Sequence, residues 1–210
     1  MPRFPLALLA VAALALGGCL AHAEDPPERD ELVLSRFDRV ADSDVLRATL
    51  GPKPERSRSD SNIGSSARGG YSETAAAPAN ALFLDATDGT SRWLFSDNAQ
   101  SIVHDAVLAS ADSGRVLALL FETVSADTDG DDDVDGSDAR DVVLTDARGD
   151  NATTVIEGRT RDLGRFRTGP TTEVFLFQAG GTVRAVSVDL TTREATPIPL
   201  AEVPKGAPPA

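Results

Sequence analysis

Cysteine is almost missing from this chain: Cys19 is the single one among 210 residues. No intramolecular disulfide can form, and no cysteine-based zinc site can be assembled. Histidine is nearly as scarce, with only His22 and His104, so a His-based zinc motif is lacking too. Within 102–105 an alternating strand puts His104 on the face opposite Val103, where a lone histidine reads as a surface or hydrogen-bonded residue and not as a catalytic base. Tryptophan is represented by Trp93 alone, read as a core residue. Basic residues are in deficit, 20 against 33 acidic ones, for a formal charge of −13. Polyanions meet a repulsive field, which excludes nucleic acid as a partner. Neither a Gly-x-Ser-x-Gly elbow nor a phosphate-cradling glycine loop occurs. What remains, 41% hydrophobic over 210 residues, suffices for one good core and predicts a single domain.

Charge-free apolar sequence of any length occurs once near the start, at 4–16, after a short positive segment at 1–3. Thirteen residues suit the apolar part of an export signal and are too few to span a bilayer comfortably. Two cleavage sites compete. Ala21-His22-Ala23 fits the small-x-small rule, while Leu16-Gly17-Gly18-Cys19 resembles the bacterial lipobox. That resemblance implies a signal peptide over 1–18, cleavage before Cys19 and lipidation of its thiol and new amine. It also implies a membrane anchor in the cell envelope, and Leu20 after the cysteine implies the outer membrane. Residues 19–31, rich in proline and charge, cannot bury enough apolar surface to fold and read as a tether.

The folded domain is expected over 32–198, with a flexible loop at 51–80 and a disordered tail at 199–210. Residues 31–50 suggest a strand followed by a short helical turn. Beyond 81 the pattern is all-β. Apolar runs flank Gly or polar turns after Asp85, Asp146 and Asp189, and in each an Asp ends the first strand, where it can accept bonds from the turn's own amides. Strands are also predicted at 102–108, 116–124 and 174–177, and 116–121 is apolar on both faces, so it belongs in the middle of the core. Allowing for an insertion at 127–138, the hairpins recur about every 40–45 residues. This resembles fragments of propeller-type repeats such as the WD40-like and TolB-like families, and predicts an antiparallel β-meander with partial propeller-like repeats.

Seven of the acidic residues crowd into 127–138, Asp-Thr-Asp-Gly-Asp-Asp-Asp-Val-Asp-Gly-Ser-Asp. Alternate carboxylates in a short loop supply the converging hard oxygens that calcium requires, and without a cation they repel one another. The segment resembles an EF-hand loop of the dockerin variety. The resemblance implies Ca2+ as cofactor and side-chain ligands Asp127, Asp129 and Asp131. It further implies the backbone carbonyl of Asp133, a direct or water-mediated contact at Asp135, and the final carboxylate at Asp138. Val134 matches the apolar residue that pins such loops to the core. Asp132 stands where glycine usually supplies a left-handed backbone, which Asp visits more easily than most residues. The flanks read as strands, with one turn of helix at 137–141, so the loop should bridge two strands and act as a staple, not a sensor.

These observations predict a non-enzymatic, calcium-stabilised, lipid-anchored envelope protein acting as a binding or structural module, with a protein partner in the envelope. A calcium-responsive adaptor is the first rival. The second is an envelope hydrolase acting on glycans through two carboxylates, Asp105 and Glu122.

Overall fold

Alternating burial marks several of the strands, most regularly the one at Thr172–Ala179. The computed structural model describes residues 32–53 and 77–201. The export segment, Cys19 and the whole tether, most of the loop at 51–80 and the tail beyond 201 lie outside the described residues. Every regular element among those described is a strand. A smaller sheet contains β1 (Leu32–Leu34), β2 (Asp38–Arg39), β3 (Val45–Pro52), β4 (Asn80–Asp85) and β5 (Ser91–Trp93). A larger one contains β6 (Ser101–Ala109), β7 (Val116–Val124), β8 (Arg140–Thr145), β9 (Thr153–Arg167), β10 (Thr172–Ala179), β11 (Thr182–Asp189) and β12 (Ala195–Ile198). In the larger sheet spatial order follows chain order from β6 to β12, and in the smaller it runs β1-β3-β4-β5 with β2 also on β3. The fold is thus an all-β antiparallel meander in two open sheets, in keeping with partial propeller-like repeats.

The helical turn expected within 31–50 is instead a tight β-hairpin turn. Val40 donates its amide to the Val45 carbonyl at 2.8 Å, the Ser43 hydroxyl caps the Val40 carbonyl at 2.6 Å, and Ala41 takes a φ of 41°. Val40 and Val45 both reach the core by this reversal, and β3 gains ladders to β1, β2 and β4. Tertiary pairing has overridden a weak local preference.

β7 carries the packing. Its successive side chains point to opposite faces, and each face meets its own core. Leu119 and Phe121 join Phe83, Val45 and Ile102 between the two sheets. There the Phe83 and Phe121 rings pack edge-on at 6.4 Å, and the Arg47 guanidinium lies 5.8 Å above Phe121. Ala118 and Leu120 join Val142, Phe175, Phe177 and Val188 on the other face. That second core draws only on the larger sheet, which must therefore roll over itself. β9 is where it turns: Arg159 faces Arg140 of β8 on one side and Ala179 of β10 on the other. Gly158, at a φ of 59°, provides the bend next to Arg159. At the far end of β9, Arg167 donates to the Ala109 carbonyl of β6 at 3.3 Å.

All three expected hairpins form, each with its Asp caging the turn. Asp85 accepts from the Thr87 amide, Asp146 from those of Arg148 and Asp150, and Asp189 from those of Thr191 and Thr192. The first hairpin lies in the smaller sheet; the other two share the larger one. Trp93 departs from its expected place in the core and is 45% exposed. It sits on edge strand β5 opposite Leu82, while its neighbour Arg92 takes the position facing Phe83.

Candidate metal centre

The acidic segment joins β7 to β8, adjacent antiparallel strands of one sheet. Alternate aspartates shape it through short local bonds. Asp127 accepts from the amides of Gly130 at 2.7 Å and Asp132 at 3.0 Å, and Asp131 from that of Asp133 at 3.0 Å. Gly130 and Asp132 take left-handed φ values of 83° and 71°, so Asp132 does adopt the conformation that glycine usually supplies. Folding the backbone this way brings together carboxylate oxygens of Asp127, Asp129 and Asp131, all within 4.8 Å of one another. Oxygens at about 2.3–2.6 Å from a central Ca2+ span at most about 5 Å. The three can therefore hold one metal ion.

Crowding shows in the charge balance. Partial desolvation, then the neighbouring carboxylates of Asp131, Asp138 and Asp127, hold the Asp129 carboxyl above its ordinary range, against a bond from the Asp131 amide. Such a group binds a cation in exchange for a proton.

Asp138 has a different station. It is 3% exposed, and its two oxygens accept bonds from the Thr128 amide and hydroxyl and the amides of Asp129 and Asp135. Those bonds, the Thr128 and Asp135 amides foremost, hold its carboxyl below the usual carboxylate range despite burial. Asp138 ties the entrance of the loop to its exit. Asp133 and Asp135 are exposed and outside the group of three, and Asp135 receives the Ser137 amide at 2.7 Å. Val134, expected to pin the loop to the core, is 45% exposed. Strands β7 and β8 flank the loop in place of a helix pair, so the helical packing that buries this residue in such loops is not there. Nor is there helix at 137–141: a turn at 136–137 gives way to β8 at Arg140.

Beneath the loop lies a buried ion cluster. Glu122 of β7 meets Arg140 of β8 at 3.1 Å and, more closely, Arg159 of β9. Burial pushes the Glu122 carboxyl up, but bonds and charge from Arg159, then Arg140 and the His104 opposite, outweigh it and hold it below its ordinary value. Arg140 also donates to the Gly136 carbonyl, and so links the cluster to the loop. Neither arginine stood out in the sequence. The usable signal was Glu122 itself, an acid inside an apolar strand that needs a cation. The pair Asp105 and Glu122 does not assemble: Asp105 lies opposite Phe121, the residue before Glu122 on β7, so the two carboxylates leave opposite faces. Asp105 is instead paired to Arg47 at 2.7 Å.

No family model matches the sequence, and no curated protein is similar to it.

Proposed function

We propose that the chain is a calcium-stapled lipoprotein of the cell envelope, held by Cys19 and serving as a non-enzymatic binding or structural module. The observation that carries the metal half is the convergence of Asp127, Asp129 and Asp131 in a loop between two paired strands. Hard carboxylate oxygens in number favour Ca2+ over softer metals, and the EF-hand resemblance adds the Asp133 backbone carbonyl, Asp135 and Asp138 to the set. A loop spanning neighbouring strands has no helix pair to open, so the ion fastens the β7–β8 edge and does not relay a signal. The anchor half rests on Leu16-Gly17-Gly18-Cys19, and several acyl chains at ~0.8 kcal/mol per buried CH₂ would hold the protein firmly.

Melting the lipid-free protein with calcium and with chelator tests the staple. At a hundredfold excess over Kd the ion adds about 2.7 kcal/mol, which raises the midpoint of a domain this size by about 5–10 °C. An unchanged midpoint defeats the reading. For the anchor, Cys19→Ser should release the protein from membranes.

A further inference from the structure

Three arginines from three separate turns line one cavity of about 640 Å³: Arg115 ahead of β7, Arg148 between β8 and β9, and Arg193 between β11 and β12. On a chain of charge −13 such a gathering runs against the overall field. The guanidiniums outnumber the two carboxylates present, Asp42 and Asp146. Asp146 is already engaged by the amides of its own turn and by Asn151. Arg148 is engaged too, at 3.3 Å from Asp85. Arg115 and Arg193 have no carboxylate partner among the described residues, and the Arg193 Nε is buried without any hydrogen-bond acceptor. Arg193 also holds a left-handed φ of 62°, where glycine would sit without strain. Neither the strained φ nor the unpaired donor is offset by a partner among the described residues, and an acceptor from outside the chain, solvent or ligand, would offset the second. Hydroxyls of Ser113 and Thr191 add donors, and Val116 and Leu117 add an apolar wall.

We propose that this cavity binds a small molecule through its oxyanion, a carboxylate or a phosphate, taken by Arg115 and Arg193. Guanidinium forks match both groups with paired N–H bonds, which an ammonium cannot do. The site is independent of the metal loop.

The test follows the Arg193 Nε–Hε resonance of the full chain during titration with inorganic phosphate and, separately, with succinate, at constant ionic strength set by chloride. A saturable shift with either anion is expected. Saturation by phosphate alone assigns a phosphate ligand, and by succinate alone a carboxylate. Arg193→Gly should weaken binding at least about tenfold, a loss of one charge-assisted bond. It should also keep or raise the melting midpoint, because glycine adopts this φ freely. Arg115→Gln, whose backbone is unstrained, should weaken binding similarly. The proposal is overturned if neither anion saturates below about 10 mM, weaker than a specific site allows. Unaltered affinity in both folded variants overturns it equally.

Discussion

Arg140 lies 3.1 Å from Glu122 on the neighbouring strand and at the same time donates to the carbonyl of Gly136 in the acidic loop. One side chain therefore joins the buried ion cluster to the exposed acidic loop. Glu122→Gln leaves Arg159, 5% exposed, with only the long 3.8 Å contact to the exposed Asp162. Removing one partner of such a pair costs about 3–5 kcal/mol, so urea denaturation should show a loss of that size. Arg140→Met should cost less, about 1 kcal/mol, because this arginine is partly in solvent. It should still weaken calcium binding by calorimetry, since the loop loses its tie to the sheet. Equal affinity in wild type and Arg140→Met would contradict the link.

Acidification should release the metal before it unfolds the protein. Asp129 titrates above the ordinary carboxylate range in the metal-free loop, and the ion needs it ionised. Affinity for calcium therefore falls as pH drops through that raised value. Glu122, Asp85, Asp138 and Asp189 are shifted the other way. Their stabilisation is present above the unfolded value, about 4, and is lost only as pH falls through the lower folded one. Parallel titrations of calcium affinity and of β-sheet circular dichroism should show two separate transitions, the metal's at the higher pH.

The contrast between Asp138 and Val134 tests which residue organises the loop. Asp138→Ala leaves the amides of Thr128, Asp129 and Asp135 without their acceptor, at about 1–3 kcal/mol for a buried group. Amide hydrogen exchange across 127–138 should accelerate in metal-free protein. Val134→Ala, at an exposed position, should change stability by less than about 0.5 kcal/mol. A large loss from Val134→Ala would restore the pinning role that the EF-hand resemblance implied.

Much of this architecture is written locally. β7 is visible because an apolar run on both faces has no stable place except between two cores, and the Asp-closed hairpins are visible because the cage forms within a few residues. Asp132 in its left-handed position belongs with these. Trp93, Val134 and the turn at 40–45 misled for one reason: their surroundings come from elements far away in the chain. Edge strand β5 leaves Trp93 uncovered, and Val134 has no helix pair beside it. The roll of the sheet at Arg159 depends on which strands flank β9 at each end, and no window of sequence contains that.

Gly149 tests the junction of the sheets. It has a φ of +78°, and a Cβ built there would run into the Phe83 ring of β4. Gly149→Ala combines a left-handed strain of about 1–2 kcal/mol with overpacking of about 1–3 kcal/mol. Thermal melting should show a loss of about 2–5 kcal/mol. Adding Phe83→Leu should recover part of it, because the space opened beside the turn admits the methyl group. Strict additivity of the two losses would place the strain elsewhere.

Tension from the N-terminal side enters the folded body through β1, which has three residues, β3 as its single neighbour, and Leu32 and Leu34 in solvent. Behind it β3 is gripped by β2 and β4 as well. A tug on a surface-bound copy should therefore peel β1 first, releasing about 10 Å of slack at roughly 3.3–3.6 Å per residue. Both cores would remain closed, so under the proposed anchorage at Cys19 β1 would be a compliant coupling to a stiff body.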